Sequence, residues 1–317
     1  MTVAGSRRLD VVIVNYETPD LLGACLRSIA AVDAACIGDI IVVDNSRTPE
    51  PAQRVVRDHA GVRLIRSAGN VGYGRAANTG VAAATSQYAL VLNADSQLRD
   101  GAADALVREL DLHPEAAIIG PRLVDDAGRV QPSCARFPAA GRLFLNETGL
   151  WKIGLFKPIA TTLGRRVLPF FDPDEPTVVP WVLGAALAVR RRSFDDVGGF
   201  DPAYFMYYEE VDLSRRLAAT GAVTRFTPAA TISHVGGAST SQNHAPMQRE
   251  MFRSLAVYMR RHARDPGLAR LRVAVLAIAF AWLARDVLVP GNRGDRKESL
   301  DAWRRVTGDA LRGWRDV

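Results

Sequence analysis

The strand that decides the fold lies near the start of the chain, where residues 9–15 read LDVVIVN. Two further short runs have the same character: residues 39–44 read DIIVVD, and residues 88–93 read YALVLN. Strands that are apolar along their whole length are buried on both faces, as in parallel sheets covered by helices. Because helix-like segments separate these runs, the pattern predicts an α/β fold with a parallel sheet and right-handed crossovers.

The rest of the chain up to residue 240 continues this alternation. Helical spacing is found in residues 18–31, 51–59, 74–84 and 209–220, and further strands are predicted at residues 62–66, 182–189 and 223–227. Residues 132–180 are irregular, with scattered proline, glycine and aromatic residues. We interpret them as loops and short helices over the sheet, which form either part of an acceptor cleft or a purely structural cover.

Composition is that of an ordinary globular protein. Of the 317 residues, 48% are hydrophobic and 23% are charged, which argues against disorder. The three cysteines, Cys25, Cys36 and Cys134, are too few and too scattered for a disulfide framework or a zinc site, so reduced thiols are expected. No apolar stretch precedes residue 9, so no secretory signal is predicted and the catalytic part is expected to face the cytoplasm.

The formal charge of +6 is concentrated at the C-terminus. The last 60 residues carry 13 basic and seven acidic residues, which accounts for the whole excess. Nucleic acid is not the expected partner, because few aromatic residues alternate with the basic ones and no nucleic-acid-binding motif occurs. An anionic membrane surface fits this charge better.

The segment 246–317 is predicted to be a basic, amphipathic helical extension. Residues 247–261 have helical spacing, and residues 273–284 form an apolar run flanked by arginines. A bilayer span needs about 20 apolar residues, so this run is too short to cross a membrane. Two interpretations stay open: a helix packed on the protein core, or a helix lying in the interface of an anionic membrane.

Polar residues stand at the ends of three predicted strands. They are Asn15, Asp44 with Asn45, and Asn93 with Asp95. Ligands of open α/β sheets bind at the carboxyl ends of the strands, so these side chains are candidates for the floor of a site. A carboxylate at Asp95 can hold Mg²⁺ or Mn²⁺ bridging a diphosphate. The alternative role is capping of a turn or helix, which Asp and Asn also favour.

A glycine-rich turn follows the third strand, where residues 67–80 read SAGNVGYGRAANTG. Glycines let the backbone approach a ligand closely, and the N-terminus of the helix that follows favours anionic groups. The turn lacks the dinucleotide-binding spacing, and a purely structural turn is the alternative.

Three carboxylates open the helix predicted at residues 209–220. Glu209, Glu210 and Asp212 fall within four positions, and crowding with partial desolvation would raise the pKa of one of them, as suits a general base. A response to the helix dipole is the alternative explanation. His234 follows the last predicted strand and is either structural or, if Asp95 lies nearby, a metal ligand through a neutral imidazole nitrogen.

In this order, the motifs resemble inverting glycosyltransferases of GT-A fold, in particular the bacterial rhamnosyltransferase-like branch that builds cell-wall and surface polysaccharides. The matching stretches are VVIVNYET (11–18), IIVVDNS (40–46), GNVGYGRAANTG (69–80), LVLNADSQL (90–98), WVLGAALAVRR (181–191), GGFDPAYFMYYEEVDLSRRL (198–217) and ISHVGGAST (232–240). The resemblance implies a GT-A domain at residues 1–245, with a nucleotide-binding half at about 1–97 and an acceptor half at about 98–245, followed by the helical extension.

The resemblance also implies roles for individual residues. Asp44 would read the nucleotide base, and Asp95 would be the metal carboxylate with His234 as a further metal ligand. The remaining residues of the implied nucleotide pocket are Asn15, Glu17, Gly72, Asn78, Asn93 and Ala94. Glu210 would be the catalytic base, with Glu209 and Asp212 in the same cluster.

Two departures from the family pattern matter for these roles. Asn93 stands where many relatives have the first aspartate of the metal motif, which leaves the number of carboxylate ligands open. Glu210 replaces the aspartate that is usual at the base position, so Glu209 stays a competitor for that role.

The activity implied is a single displacement that moves a sugar from a nucleoside diphosphate donor, with Mn²⁺ or Mg²⁺ as cofactor. The expected donor is dTDP-rhamnose, and the expected acceptor is a glycan or polyprenyl-linked glycan at the cytoplasmic face of the plasma membrane. Alternatives are a UDP-galactose or UDP-N-acetylglucosamine transferase of the same fold, and a non-catalytic nucleotide-sugar-binding protein. A nucleotidyltransferase is disfavoured because no glycine- and arginine-rich loop follows the first strand, and no carboxylate pair suggests a glycosidase. No oligomeric state is predicted.

Overall fold

The computed structural model describes residues 7–32, 34–140, 171–236, 244–262, 267–288 and 293–314. The strands are β1 (Leu9–Asn15), β2 (Ile37–Asp44), β3 (Val62–Arg66), β4 (Tyr88–Asn93), β5 (Ser96–Leu98), β6 (Ala116–Val124), β7 (Val130–Gln131), β8 (Cys134–Ala135), β9 (Thr177–Val179), β10 (Trp181–Val182), β11 (Ala186–Arg190) and β12 (Val223–His234). The helices are α1 (Pro19–Ala31), α2 (Glu50–Arg57), α3 (Tyr73–Ala83), α4 (Ala102–Leu112), α5 (Arg191–Asp196), α6 (Glu209–Ala219), α7 (His244–His262), α8 (Gly267–Leu288) and α9 (Arg293–Leu311).

Within the described residues, ten strands form one sheet in the order β3-β2-β1-β4-β11-β6-β12-β5, with β7 paired to β6 and β9 paired to β12. The pairs β1–β2, β1–β4, β2–β3 and β6–β12 are parallel. Strand β11 runs antiparallel to both of its neighbours, and β5 runs antiparallel to β12. The predicted α/β fold with a mostly parallel central sheet is therefore confirmed.

The alternation of β1 explains why helices cover both faces of the sheet. Side chains of a strand point to opposite faces in turn. Val11 and Ile13 belong to a core cluster with Leu22 and Leu26 of α1, whereas Val12 packs with apolar residues of α3. All of the strand is buried, as the apolar run at residues 11–14 predicts, and the buried carboxylate of Asp10 is hydrogen-bonded to Ser86 and to backbone N–H groups.

Helix α3 lies very close to the sheet, and Gly80 makes this approach possible. A Cβ atom at Gly80 would overlap the Cγ1 atom of Val12 and would come within 3.0 Å of the Cγ2 atom of Val43. The last glycine of the turn at residues 67–80 therefore serves helix–sheet packing rather than ligand binding.

Two predicted strands differ in the structure. The segment predicted as one strand at residues 182–189 is broken, since Val182 ends β10 and Ala186 begins β11. The break lets Leu183 N–H donate to Ser133 O at 2.7 Å and leaves the backbone between the strands for contacts within the site. Strand β12 is longer than predicted, because pairing with β6 resumes at Thr231 after an irregularity that contains a proline.

Contacts group the chain into two compact units. The first contains β1–β12 with α1–α6, and the second contains α7–α9 together with residues 206–208. The boundary predicted after residue 245 stays a prediction, since residues 237–243 lie outside the described residues. The aromatic residues predicted to line an acceptor cleft between residues 141 and 170 also lie outside them.

In the second unit, the apolar residues Phe252 and Leu255 of α7 are buried, and Phe252 packs against Trp303 of α9. Arg260 donates to Trp314 O at 2.8 Å just beyond the C-terminal end of α9, where unpaired carbonyl groups of a helix need donors. Within the described helices, none is both long enough and apolar enough to cross a membrane.

Candidate active site

The polar strand ends predicted to form a site are neighbours in the sheet. Asn15 at the end of β1 lies opposite Asp44 at the end of β2, and Val14 lies opposite Asn93 at the end of β4. Asp95 lies two residues beyond the C-terminal end of β4. The carboxyl ends of these parallel strands therefore form one edge, as expected for a ligand site.

Asp44 presents one free carboxylate oxygen in a buried position. Its Oδ1 atom accepts hydrogen bonds from Asn15 Nδ2 at 2.8 Å and from Ser46 N at 3.2 Å. Its Oδ2 atom is buried and has no hydrogen-bond partner among the described residues. A buried acceptor that lacks a partner is costly in free energy, so this atom is suited to receive a ligand N–H group.

Glu17 closes the turn that follows β1. Its backbone is left-handed, with φ of 54°, its N–H group donates to Ser46 Oγ at 2.9 Å, and its Oε1 atom accepts from Arg47 N at 2.7 Å. Left-handed backbone in a residue other than glycine is strained and is often found at functional sites. The side chain thus ties together the loops that surround Asp44.

Gly72 permits a backbone approach that no other residue would allow. Its φ is +92°, and a Cβ atom there would overlap the carbonyl oxygen of Phe205. The same carbonyl accepts from Tyr73 N at 2.9 Å, and Gly72 O accepts from Asn45 Nδ2 at 3.1 Å. The start of α3 is thereby fixed next to the loop after β2.

Both polar atoms of the Asn78 side chain, a predicted pocket residue, are hydrogen-bonded to the backbone of one residue. Asn78 Nδ2 donates to Phe200 O at 2.7 Å, and Phe200 N donates to Asn78 Oδ1 at 2.8 Å. We therefore assign Asn78 to holding the turn at Phe200 rather than to contact with a nucleotide.

Asp95 and His234 are brought together, although they are far apart in the sequence. His234 is the last residue of β12 and pairs with Ser96 of β5, which places its Nε2 atom 3.5 Å from Asp95 Oδ1. Both residues are buried, and Asp95 Oδ1 makes no hydrogen bond within the described part of the chain. A buried carboxylate oxygen facing an imidazole nitrogen suits a divalent cation.

The donor set around this pair is small. Ala94 is buried and offers no side-chain donor, and Asn93 is half-buried at the end of β4. In the described ranges, no group of three or more His, Cys, Asp and Glu residues could hold a metal ion. Two protein ligands suffice for Mg²⁺ or Mn²⁺, because these ions commonly take their other ligands from phosphate and water.

Glu209 and Glu210 are buried at the start of α6, and each has an Oε2 atom without a hydrogen-bond partner in the described structure. Burial raises the pKa of Glu210 to about 7, although the backbone N–H groups of Glu210, Gly184 and Val211 favour its charged form. Burial and the neighbouring charge of Glu210 raise the pKa of Glu209 well above its usual value. The two carboxyl groups therefore share a buried site in which desolvation and their mutual repulsion favour the protonated forms, as suits a pair that takes up a proton.

The backbone segment between β10 and β11 contacts both the residues that flank Asp95 and the start of α6. Ala185 O accepts from Asn93 N at 3.0 Å and from Ser96 Oγ at 3.3 Å. Gly184 packs against Glu210, since a Cβ atom there would lie 3.7 Å from the Glu210 carboxylate. Gly184 therefore lies at van der Waals distance from the Glu210 side chain.

Tyr73 completes this connection, and the sequence did not single it out. Its hydroxyl donates to Gly184 O at 2.7 Å. The pKa of this hydroxyl lies well above its usual value, because the group is buried and close to several carboxylates. These carboxylates are Glu209, Glu210 and Asp95.

Asp212, the third acidic residue of the predicted catalytic cluster, lies in an ion pair with Arg216. It is fully buried, and its Oδ2 atom accepts from Arg216 Nε at 2.7 Å. Arg216 also donates to the backbone carbonyls of Val197 and Gly199, each at 2.7 Å. This ion pair connects α6 to the backbone at residues 197–199, and the catalytic role of Asp212 stays a prediction.

The comparison with protein families agrees with this geometry. Residues 10–166 match the family model described as glycosyl transferase family 2. A Mycobacterium tuberculosis protein named N-acetylglucosaminyl-diphospho-decaprenol L-rhamnosyltransferase is 32% identical over 250 residues, which cover 75% of this chain and 79% of that protein. The chain belongs to glycosyl transferase family 2.

Further relatives of this family 2 glycosyltransferase include the Escherichia coli rhamnosyltransferase WbbL, which is 26% identical over 227 residues, or 69% of this chain and 80% of that protein. The fold of the present chain is similar to that of the mannosyltransferase PcManGT from Pyrobaculum calidifontis, solved with GDP-Man and Mn²⁺. That similarity has a TM-score of 0.57 at 15% identity and covers 96% of this chain and 87% of the other. The GT-A fold and the glycosyltransferase activity predicted from the sequence motifs are thus confirmed.

Proposed function

We propose that this glycosyltransferase moves L-rhamnose from dTDP-rhamnose to a polyprenyl-diphosphate-linked glycan, with inversion at the anomeric carbon and with Mn²⁺ or Mg²⁺ as cofactor. The observation that carries the chemistry is the buried Asp95–His234 pair, joined to Glu210 through the loop between β10 and β11. The choice of sugar and acceptor rests on the relative from Mycobacterium tuberculosis, whose name specifies both.

In this proposal the protein residues divide the work between donor and acceptor. Asp44 accepts a hydrogen bond from the ring N–H group of the nucleotide base, because its Oδ2 atom is buried and has no hydrogen-bond partner among the described residues. Asp95 and His234 would hold the cation, which when bound would supply positive charge to offset that of the departing nucleoside diphosphate. Glu210 removes the proton from the acceptor hydroxyl as its oxygen attacks the anomeric carbon.

Donor choice is tested by thermal unfolding of the full chain with Mn²⁺ and one sugar nucleotide at a time. A ligand that binds only the folded state at 100 times its Kd stabilises it by about 2.7 kcal/mol. We expect dTDP-rhamnose to raise the unfolding temperature more than UDP-galactose or UDP-N-acetylglucosamine. Transfer of rhamnose to a polyprenyl diphospho-N-acetylglucosamine acceptor, followed by mass spectrometry, is the matching activity assay.

The control for this experiment is a pair of isosteric substitutions. Asp44→Asn places an amide N–H group opposite the ring N–H group of the nucleotide base, so that two donors face each other. This variant is expected to abolish the stabilisation by dTDP-rhamnose. Asp20→Asn changes an exposed aspartate of α1 and should leave it unaltered. Greater stabilisation by a UDP-sugar would overturn the proposed donor.

We further propose that helix α8 docks this enzyme on an anionic membrane, where a polyprenyl-linked acceptor resides. One side of α8 is buried within its own unit through residues such as Leu271, Val275 and Ile278. Elsewhere on its surface Val273 is 68% exposed and Phe280 is 73% exposed. Apolar side chains exposed near basic residues are typical of helices that lie in a lipid interface.

This membrane proposal predicts the behaviour of a double variant, Val273→Ser with Phe280→Ser. Wild-type protein is expected to sediment with vesicles containing phosphatidylglycerol, and the variant is expected to lose about tenfold or more in affinity, since each buried apolar side chain contributes about 1.5–3 kcal/mol. Leu112→Ser is the control, because Leu112 of α4 is 64% exposed and lies outside α8. Equal partitioning of the double variant and the wild type would contradict membrane docking by α8.

A further inference from the structure

The side chain of Gln131 makes two hydrogen bonds with a single residue, His234. Its Nε2 atom lies 2.8 Å from the His234 carbonyl oxygen, which can only accept a hydrogen bond. Its Oε1 atom lies 3.0 Å from His234 Nδ1. The first contact fixes the orientation of the amide, because only the NH₂ group can donate to a carbonyl.

This orientation determines which imidazole nitrogen carries the proton. The Oε1 atom of Gln131 is an acceptor, so a hydrogen bond with Nδ1 requires a proton on Nδ1. A neutral imidazole has one N–H group, and its other nitrogen is then an acceptor. In the neutral ring, the form in which histidine binds a metal, the Nε2 atom of His234 is then the one that presents a lone pair.

The lone pair faces a second acceptor. His234 Nε2 lies 3.5 Å from Asp95 Oδ1, which is buried and makes no hydrogen bond with the described residues. Between the neutral imidazole and the carboxylate these two electron-rich atoms repel, and a cation bound by both of them removes the repulsion. The arrangement resembles the way histidine ligands of metals are held in one tautomer by a partner on the other ring nitrogen.

The position of the ring is also constrained by the chain that follows β12. Gly236 lies against it, since a Cβ atom there would be 3.5 Å from His234 Cε1 and 3.7 Å from His234 Nδ1. Its φ of +75° favours glycine at this point. The imidazole is thus held by Gln131 and bordered by the Gly236 backbone.

We propose that Gln131 is the positioning residue of the metal site: it fixes His234 in the Nδ1–H tautomer and so aims the Nε2 lone pair at the cation bound with Asp95. The proposal rests on the proposed metal role of Asp95 and His234. Gln131 does not touch the cation or the substrates, and it acts only through the tautomer and the orientation of the imidazole.

The tautomer is tested in the metal-free, full-length protein by ¹H–¹⁵N NMR correlation of the imidazole groups. The His234 signal is assigned by its loss in His234→Gln. We expect a protonated Nδ1 and an unprotonated Nε2 in the wild type, and the other tautomer or a mixture in Gln131→Met. A wild-type Nε2–H tautomer, or an unchanged pattern in Gln131→Met, would overturn the proposal.

Metal affinity provides the second readout, measured by titration of Mn²⁺ in the presence of dTDP. We expect Gln131→Met to weaken Mn²⁺ binding by about 10–100-fold, as changes to the partners of metal ligands commonly do. Gln53→Met, at a half-buried glutamine of α2, is the matched control and should bind Mn²⁺ as the wild type does. Affinity of Gln131→Met within twofold of the wild type would also contradict the proposal, provided that the thermal unfolding of both variants is normal.

These two measurements separate the inference from the metal proposal on which it rests. If the wild type binds no Mn²⁺ while His234 shows the Nδ1–H tautomer only when Gln131 is present, the metal proposal fails and the tautomer assignment stands. If Mn²⁺ binds but the tautomer does not depend on Gln131, the metal proposal stands and the role of Gln131 is refuted.

Discussion

Replacing Glu210 with glutamine is expected to slow sugar transfer by about 10²–10⁴-fold, the usual contribution of a general base. Glutamine has nearly the same shape but cannot accept a proton from the acceptor hydroxyl. Because the proposed nucleotide contacts lie at Asp44 and Gly72, the affinity for the donor is expected to stay within a few-fold of the wild type. Single-turnover kinetics with saturating donor measure the rate, and calorimetry measures donor binding.

The pH dependence of the same step provides an independent signature. Burial raises the pKa of Glu210 to about 7, and a base acts only when it has lost its proton. The rate should therefore increase as pH rises through about 7 and fall in more acidic solution, and this dependence should disappear in Glu210→Gln. Glu209→Gln is the comparison, since Glu209 does not take up the acceptor proton in the proposed mechanism and its replacement should slow transfer much less. Near-full turnover by Glu210→Gln, or an equal loss in Glu209→Gln, would exclude Glu210 as the base.

Asp95→Asn is expected to abolish the response of the enzyme to Mn²⁺ or Mg²⁺. The substitution keeps the volume of the side chain but removes the charge that a cation requires. Stabilisation of a departing phosphate by a cation contributes several kcal/mol, and each 1.36 kcal/mol is a factor of ten, so we expect the rate to fall by about 10²–10³-fold.

The measurement for Asp95 is a titration of activity and of nucleotide affinity with Mn²⁺ after treatment with a chelator. Wild-type activity should be lost on chelation and restored by the metal, whereas Asp95→Asn should show no restoration. Asp126→Asn, at an exposed loop position, is the control for the loss of one carboxylate charge. A titration curve for Asp95→Asn that matches the wild type would refute the metal assignment.

The features that the sequence predicted well are those with a local signal. Strand β1 and its parallel neighbours are apolar along their length, so burial on both faces followed directly from composition. The carboxyl ends of parallel strands meet at one edge of the sheet. The sequence alone therefore predicted that Asn15, Asp44 and Asp95 lie near a common site. The motif at residues 232–240 identified His234 by its resemblance to the family, although nothing local shows that β12 reaches Asp95.

What the sequence could not reveal depends on contacts between distant segments. Gln131 lies on a strand of two residues, and its importance becomes clear only from the hydrogen bond between its side chain and His234. The apolar residues at 183–185 look like the interior of a strand, yet the backbone there is needed for contacts with Asn93 and Ser133. Asp212 has the same sequence context as the two glutamates, and only its ion pair with Arg216 separates its role from theirs.

The pairing of β5 with β12 has a consequence for the order in which the protein folds. Strands β1–β4 come from one continuous segment, whereas β5 and β12 close a long loop: Arg99 and Ser233, which are hydrogen-bonded beside this pair, are 134 residues apart. Closing a longer loop costs more chain entropy, and contacts between remote segments form slowly. Because the approach of His234 to Asp95 depends on that closure, we expect this pair to assemble after strands β1–β4, so that a newly synthesised chain would gain the proposed cation site only when its last strand has joined the sheet.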